Sequence, residues 1–313
     1  MGDRVPMRIA YGEALCEFGN NEKIVALDAD VSTCTMSCIF GAKYPERFYN
    51  LGIQEANMIG VAAGLATTGK IVFCHSFAMF TAGRGYDQIR NSVAYPHLNV
   101  KIVGSHAGIT IGEDGATHQC LEDLALMRAV PGMVVVSPCD ANETREAVKA
   151  LIEYDGPCYL RTSRIAAEPV TDKYPDYKFE LGKGVTLTDG NDATIIATGL
   201  MVQESLKAAE ELQKEGIKAR VIDMHTIKPI DRDIIIKAAR ETGAIVTVEE
   251  HSVIGGLGSA VAEVVSESTP VPVLKVGVED VFGCSGRAEE LLEKFGLTHR
   301  QIVEKVKMAL NKK

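Results

Sequence analysis

One stretch, residues 52–68, limits what this chain can fold into more than any other. It reads Gly-Ile-Gln-Glu-Ala-Asn-Met-Ile-Gly-Val-Ala-Ala-Gly-Leu-Ala-Thr-Thr. After Asn57 it is apolar on every side, which predicts a helix that is buried on all faces. A single carboxylate, Glu55, stands at its start, and no Lys or Arg lies three or four residues away to pair with it. A buried, unpaired carboxylate is costly, so Glu55 either caps its own helix N-terminus or meets a ligand.

Apolar, strand-like runs alternate with helical patterns along both halves of the chain. In the first half the predicted strands are residues 23–27, 71–75, 99–104, 133–137 and 157–161. This alternation indicates a parallel sheet that is covered by helices on both faces. A polar connection, residues 166–177, separates the two halves. We therefore predict an α/β fold of two consecutive three-layer domains, 1–168 and 183–313, joined by a linker at 169–182. The sheet of the first domain should be parallel and that of the second mostly parallel.

Composition and charge argue against several classes of protein. The chain has 313 residues and a formal net charge of −9, which disfavours binding to nucleic acid or to an anionic membrane. It contains no apolar run long enough to span a membrane, and residues 1–20 lack the apolar core of a signal peptide. The eight cysteines are scattered without a CxxC pair, which argues against structural zinc and against a disulfide framework. These features predict a reduced, cytoplasmic protein.

Two groups of candidate site residues follow predicted strands in the first quarter of the chain. Asp30 lies in a polar loop after the first predicted strand. Side chains in such a loop line a site or cap the next helix about equally often. Phe77 and Phe80 follow the strand at 71–75 and lie three residues apart. Without other information, aromatic residues at this spacing would be assigned to the core.

A glycine-rich loop, residues 105–119, carries three further candidates, His106, Asp114 and His118. Two histidines and one carboxylate at such wide spacing are weak evidence for a metal site, and surface histidines are commoner. Arg164 follows the predicted strand at 157–161, where a surface ion pair is the ordinary interpretation.

Several of these segments form recognisable motifs in a consistent order. They are Gly-Ile-Gln-Glu-Ala-Asn-Met within residues 48–66, Ser-Phe-Ala-Met-Phe-Thr with Tyr-Asp-Gln-Ile-Arg within 76–90, and Gly-Ser-His-Ala-Gly-Ile-Thr-Ile-Gly-Glu-Asp-Gly-Ala-Thr-His-Gln within 104–128. Together they resemble transketolases, the thiamine-diphosphate enzymes that move two-carbon ketol units. The segment Leu-Arg-Thr-Ser-Arg at 160–164 fits the same family. The C-terminal half, with Val-Ile-Asp-Met at 221–224 and Gly-Gly-Leu-Gly at 255–258, looks like the third domain of that family.

The resemblance thus covers essentially the whole chain. It implies that residues 1–168 form a pyrimidine-binding domain and residues 183–313 a transketolase C-terminal domain.

The resemblance implies a cofactor role for four of the candidates. Glu55 matches the carboxyl that bonds the pyrimidine ring nitrogen of thiamine diphosphate and promotes loss of a proton from the thiazolium carbon. Phe77 and Phe80 match aromatic residues that pack on the pyrimidine, and Asp30 is assigned to the same cofactor site. Where many transketolases have a third aromatic residue, this chain has Gly83.

The remaining candidates match substrate-binding positions of the family. His106, Asp114 and His118 correspond to polar contacts with the hydroxyls and carbonyl of a sugar, and the two histidines are predicted to be catalytic as well. Arg164 corresponds to an arginine that binds the phosphate of a sugar phosphate, a dianion that suits a guanidinium.

One motif of the family is missing from this chain. Transketolases carry a Gly-Asp-Gly motif followed by an asparagine that together hold Mg²⁺ and the diphosphate, and no Gly-Asp-Gly occurs here. The resemblance therefore implies an N-terminal partner subunit that carries this motif and provides most of the contacts to Mg²⁺. It also implies a heterotetramer with cofactors at its interfaces, and a chain that is inactive alone.

Three alternatives stay open beside the transketolase interpretation. Deoxyxylulose-phosphate synthases share the glutamate and the Asp-Gly-x-Thr-His-Gln stretch but place Arg where this chain has His106. Beta-type subunits of 2-oxo-acid dehydrogenases match in length and in the C-terminal domain but lack the Gly-Glu-Asp-Gly-Ala-Thr-His-Gln loop. The third alternative is a non-catalytic partner of a thiamine enzyme. The motifs favour transketolase over the first two, and the third stays open.

Overall fold

The computed structural model describes residues 4–313 of the chain. Strands β1 to β14 span, in chain order, Val5–Pro6, Ile24–Asp28, Phe48–Asn50, Ile71–Phe77, Val100–Ser105, Val134–Val136, Cys158–Arg161, Ala166–Ala167, Val185–Thr188, Ala193–Ala197, Ala219–Asp223, Thr226–Lys228, Ile245–Ser252 and Val273–Val278. Each strand predicted in the first half corresponds to one of these. The short strands β3, β9 and β12 carry too few residues to show a pattern, and the sequence did not predict them.

Helices pack on both faces of the sheets. Helices α1 to α12 span Met7–Glu17, Ser32–Thr35, Cys38–Lys43, Glu55–Ala66, Tyr86–Gln88, Asp123–Ala129, Ala141–Glu153, Met201–Lys214, Arg232–Thr242, Leu257–Ser268, Ala288–Lys294 and His299–Leu310. Wider π-helical segments flank α5 at Met79–Arg84 and Ile89–Ala94. Single 3₁₀ turns occur at Phe18–Asn20, Pro45–Arg47 and Thr171–Lys173, and two such turns separated by a kink at Gly112 make up Ile109–Asp114. No helix among the described residues is both long and apolar enough to cross a membrane.

The strands form two large sheets and one two-stranded ribbon, β1 with β8. The first sheet has the order β12-β6-β7-β5-β4-β2-β3, and all its neighbours are parallel except β12 and β6. The second has the order β14-β13-β10-β11-β9, and only β9 is antiparallel to its neighbour. The predicted α/β fold class is confirmed. One difference is that the first sheet takes its antiparallel edge strand, β12, from the second half of the chain.

The central strands of the first sheet run through the interior of the protein. Every residue of β2 is buried, and so is every residue of β4 except its last. Such continuous burial is expected of parallel strands that helices cover on both faces. Two of the amphipathic helices show a common N-terminal cap and a common C-terminal glycine. The Asp140 carboxylate caps α7 by accepting the backbone N–H of Glu143 at 2.8 Å, and α9 ends at Gly243 with φ of 64°.

The expectation that the helix at residues 55–66 would be buried on all faces is wrong for the single chain. One face of α4 carries Gly60 and Gly64, and both residues are exposed. Ile53, just before the helix, is 71% exposed. The opposite face packs on the sheet through Met58 and Ile59, both of which are fully buried. The apolar pattern correctly predicted a helix, but the rest of this chain covers only one side of it.

Three buried acidic and thiol groups meet where the two domains join. Oxygen atoms of Glu143 and Asp223 and the sulfur of Cys139 lie within 4.8 Å of one another. Glu143 already accepts hydrogen bonds from the Tyr177 hydroxyl and from the backbone N–H of Cys139, the latter at 2.6 Å. Within residues 4–313, neither carboxyl oxygen of Asp223 has a hydrogen-bond partner. Burial, followed by the charge of Glu143, raises the pKa of Asp223 well above its usual value. Asp223 is therefore the member of the pair that keeps a proton.

This arrangement predicts a pH-dependent effect of Asp223→Asn. Because folding raises the pKa of Asp223 above its unfolded value of about 3.9, its favourable contribution is complete at low pH and is lost as pH rises. Asparagine can donate to Glu143 without holding an acidic proton. We compare the free energy of unfolding of the variant with that of the parent protein at each pH. This difference should be more favourable to the variant at pH 8 than at pH 5, by at least about 1 kcal/mol.

Urea denaturation at the two pH values measures this difference. Asp176→Asn is the matched control, since Asp176 is exposed and should change stability little at either pH. A loss of stability in Asp223→Asn that is the same at pH 5 and pH 8 would contradict the assignment of the proton.

Candidate active site

The carboxyl ends of five neighbouring parallel strands, β7, β5, β4, β2 and β3, lie along one edge of the first sheet. In open α/β sheets this edge is where ligands bind. Five of the predicted site residues stand there: Asp30 after β2, Glu55 after β3, Phe77 at the end of β4, His106 after β5 and Arg164 after β7. Residues that are far apart in the sequence therefore share one region of the surface.

Glu55 is the first residue of α4, and its side chain is only 2% exposed. Its carboxylate has two partners. Arg84 donates from Nη1 to Oε2 at 2.8 Å, and Ser76 donates from its hydroxyl to Oε1 at 3.3 Å. The sequence showed no cation near Glu55 along its own helix, whereas the structure brings one from the segment that follows β4. Arg84 is thus a site residue that sequence reasoning missed.

Four of the predicted residues form one aromatic cluster. The ring centroids of Phe77 and Phe80 are 6.1 Å apart, with 24° between the ring planes. Phe77 lies 4.4 Å from the His106 ring, and Phe80 meets the His118 ring edge-on at 5.1 Å. The Arg84 guanidinium lies over the Phe80 ring, 4.9 Å from its centroid. Arg84 therefore joins the Glu55 carboxylate to this cluster.

His106 is held as a neutral imidazole. It is 2% exposed, and its Nδ1 lies 2.8 Å from the Ser105 hydroxyl. Burial, followed by the positive charges of Arg8 and Arg164, lowers the pKa of His106 to about 3. At neutral pH this side chain can donate one hydrogen bond and accept another without carrying charge. Its φ of 59° lies in the left-handed region that few non-glycine residues adopt, so the surrounding structure must hold it there.

Arg164 and Asp114 lie together at the far side of the loop. Nη1 of Arg164 donates to the backbone carbonyl of Ile111 and lies 3.8 Å from the Asp114 carboxylate and 3.6 Å from that of Glu113. The Arg164 side chain is 37% exposed. Since its charge also acts on His106, the two ends of the predicted substrate site are electrostatically connected.

Asp30 differs from the other predicted residues. It lies at the correct edge of the sheet, with φ of 68°. Its carboxylate accepts a hydrogen bond from the Asn50 side chain at 2.8 Å. Within residues 4–313 it shares no hydrogen bond or ion pair with Glu55, Phe77 or Phe80, so its predicted cofactor role stays a prediction.

The position of the missing third aromatic residue is partly filled from within the chain. A Cβ atom added to Gly83 would lie 2.4 Å from the terminal methyl of Met79. Met79 therefore occupies the space next to Gly83 that a side chain at position 83 would need. The methionine is flexible and polarisable and so can adapt to a ligand.

The loop that carries the histidines is supported from the second domain. Its backbone N–H at Thr110 donates to the Glu250 carboxylate at 2.7 Å. The Gln119 side-chain amide donates to the backbone carbonyl of Cys284 at 2.9 Å. No sequence pattern pointed to Glu250, because it lies 140 residues away from Thr110 in the chain.

Comparison with protein families gives one match in each half of the chain. Residues 3–169 match the transketolase pyrimidine-binding domain, and residues 182–302 match the transketolase C-terminal domain. A putative transketolase C-terminal section from Methanocaldococcus jannaschii is 52% identical over 308 residues, which cover 98% of this chain and 96% of that protein. Human transketolase is 39% identical over the full length of this chain but is covered only to 50%.

A solved structure described as a split gene transketolase, an inactive β4 tetramer, has the same fold. It is 54% identical to this chain and superposes with a TM-score of 0.92, and the match covers 99% of each chain. The chain belongs to the transketolase family, whose members transfer ketol groups. Within that family it is the C-terminal subunit of a split transketolase, as its match to separate C-terminal sections over nearly their full length shows.

The Arg84–Glu55 pair predicts a stability difference between two arginines of the same helical region. Arg84→Ala leaves a buried carboxylate with only the Ser76 hydroxyl, although water can partly replace a guanidinium that is 53% exposed. The free energy of unfolding should fall by about 1 kcal/mol. Arg90→Ala is the control, because Arg90 is exposed and its side chain, within residues 4–313, bonds only the neighbouring Asn91. Equal losses in urea denaturation of the two variants would argue against a specific role for Arg84.

Proposed function

We propose that this chain supplies the pyrimidine end of a thiamine diphosphate site, together with the sugar-binding loop, of a transketolase that acts on sugar phosphates. The observation that carries the proposal is the Glu55 carboxylate, which is nearly fully buried and bonded to Arg84, whose guanidinium lies over one of the paired rings of Phe77 and Phe80. A buried carboxyl beside aromatic rings fits a flat, uncharged heterocycle that shares one proton with it.

The same region fits the diphosphate end of the cofactor poorly. A diphosphate needs a metal ion, free cations or several converging backbone N–H groups. Arg84, the cation beside the proposed position of the pyrimidine, already lies against the Glu55 carboxylate at 2.8 Å. We therefore assign the diphosphate and Mg²⁺ to an N-terminal subunit that carries the Gly-Asp-Gly motif absent from this chain.

Glu55 is the proposed proton-handling residue. Bound thiamine diphosphate supplies a nucleophilic thiazolium carbon that accepts the ketol fragment. Glu55 holds a proton at the pyrimidine ring nitrogen, and burial strengthens this bond because little water competes for it. Phe77 and Phe80 orient the ring and exclude water from the carboxyl. Arg84 contacts both Glu55 and the Phe80 ring, so it borders the proposed position of the pyrimidine.

The loop residues are the proposed contacts to the sugar. His106 and His118 face the aromatic pair and are assigned to the carbonyl and hydroxyl groups of the substrate, where they also act in catalysis. The low pKa of His106, about 3, makes it a neutral hydrogen-bond partner. Asp114 is assigned to a sugar hydroxyl. Arg164 is assigned to the phosphate, for which its guanidinium keeps further N–H donors beyond the nitrogen that bonds Ile111.

The proposed assembly is a cytoplasmic heterotetramer with two copies of each subunit. The uncovered face of α4, with Gly60 and Gly64 exposed, is the surface on which we expect two copies of this chain to meet, since glycines permit close approach. The related split transketolase described as an inactive β4 tetramer supports self-association without activity. The cytoplasmic location rests on the scattered, free cysteines.

Dependence on a partner is the first test of this function. The purified chain should show no ketol transfer and should bind thiamine diphosphate weakly, even with Mg²⁺. Addition of the N-terminal subunit should restore tight binding and ketol transfer together, measured by calorimetry and by a coupled assay with a ketose phosphate donor. The N-terminal subunit alone is the control. Robust ketol transfer by the isolated chain would refute the proposal.

Glu55→Gln tests the proton-handling role in the assembled enzyme. Glutamine keeps the size of the side chain but cannot supply the proton, so turnover should fall about 100-fold or more. The dissociation constant for thiamine diphosphate should change much less. Glu46→Gln is the control, because Glu46 is exposed and, among the residues described by the structure, its side chain bonds only the adjacent Arg47. Turnover near that of the parent enzyme in Glu55→Gln would remove the central claim.

A further inference from the structure

Glu250 is a buried carboxylate of the second domain that extends into the first. It lies near the end of β13 and is 2% exposed. Its Oε1 accepts the backbone N–H of Thr110 at 2.7 Å, and its own backbone carbonyl accepts Nη2 of Arg161 at 2.7 Å. Arg161 is in turn paired with the buried Asp123 at 2.9 Å. Glu250 is therefore held on both sides by the first domain.

The histidine loop is shaped around this side chain. A Cβ atom added to Gly108 would lie 2.2 Å from Oε1 of Glu250 and 2.4 Å from its Cδ. Gly108 also has φ of 81°, which disfavours any other residue. The loop backbone and the Glu250 carboxylate thus occupy contiguous space, and neither can shift without the other.

The contact acts on the part of the loop that carries the predicted substrate residues. His106 lies two residues before Gly108, and Asp114 lies four residues after Thr110. The loop is held again at its far end, where Gln119 donates to the Cys284 carbonyl at 2.9 Å. Both anchors belong to the C-terminal domain, and neither touches Glu55, Phe77 or Phe80.

The cost of this arrangement indicates a purpose other than stability. Within residues 4–313, Oε2 of Glu250 has no hydrogen-bond partner, and an unsatisfied buried oxygen is destabilising. Burial also raises the pKa of Glu250. An apolar residue would avoid this unpaired oxygen but would leave the buried Thr110 N–H without an acceptor. The one thing that the carboxyl adds is a fixed position for the loop.

We propose that Glu250 is a positioning residue, through which the C-terminal domain sets the geometry of the sugar-binding loop for ketose phosphates. The inference rests on the proposed function of that loop. It assigns to the C-terminal domain a part in substrate binding, although none of its residues was a candidate for contact with the substrate.

Three variants of the chain, each assembled with the N-terminal subunit, distinguish the effect of side-chain length at position 250 from the effect of its charge. Glu250→Asp keeps the charge but is too short to meet the Thr110 N–H. Glu250→Gln keeps the length and an acceptor oxygen. Glu249→Asp is the matched control, because Glu249 bonds the N–H groups of Leu257 and Gly258 within its own domain and does not contact the loop.

Glu250→Asp should raise the Michaelis constant for a ketose phosphate donor about tenfold or more, as expected for loss of a hydrogen bond to a charged group. The dissociation constant for thiamine diphosphate should stay within about twofold, because cofactor residues are not moved. In Glu250→Gln, the Michaelis constant and the dissociation constant should both stay within about threefold of those of the parent enzyme. Glu249→Asp should lower the melting temperature but leave the Michaelis constant unchanged.

Hydrogen exchange of the Thr110 amide, measured on the full chain, gives a readout that does not depend on activity. Exchange should be at least about tenfold faster in Glu250→Asp than in Glu250→Gln or Glu249→Asp. Unchanged exchange in Glu250→Asp overturns the proposal, as does a normal Michaelis constant in Glu250→Asp with an impaired Glu250→Gln. If the unmodified assembly transfers no ketol group, the proposed function fails by itself, while the exchange data still decide whether Glu250 holds the loop.

Discussion

A carboxylate cannot be buried in this protein unless something compensates its charge, and much of the structure follows from that constraint. Glu55 is compensated by Arg84, which the chain brings from beyond β4. Asp223 is compensated differently, by keeping its proton beside Glu143. Both solutions join segments that are far apart in the sequence. The buried acids therefore act as fixed points that hold the site and the domain interface in one arrangement.

The site at the edge of the first sheet is suited to bind the uncharged part of a cofactor and an uncharged part of a sugar. The Glu55 carboxyl and the neutral His106 are nearly fully buried, and the His106 ring lies against Phe77. In such surroundings a proton shared with a ligand is bound strongly and directionally. The charged end of the proposed cofactor needs a different environment, which is a physical reason for the proposed division of the site between two subunits.

The two domains of the chain are linked by more than a connecting segment. Strand β12, from the second half, completes the first sheet, and Glu250 and Cys284 support the histidine loop. The side chains proposed to contact the substrate thus lie on one domain, while the loop backbone that carries three of them is held by hydrogen bonds to the other. This arrangement gives a reason for the two domains to share one chain.

Local patterns in the sequence determined the alternation of strands and helices and placed Asp30, Phe77 and His106 after successive predicted strands. Because parallel strands end at a common edge of the sheet, these residues were expected to lie along that edge. Tertiary structure alone decided which cation pairs with Glu55, which acid reaches Thr110, and which side of α4 is left uncovered. Each of those outcomes depends on packing between segments remote in sequence. The spacing of residues along a chain predicts its helices and strands. It does not predict which side chains from remote segments come into contact when the chain folds.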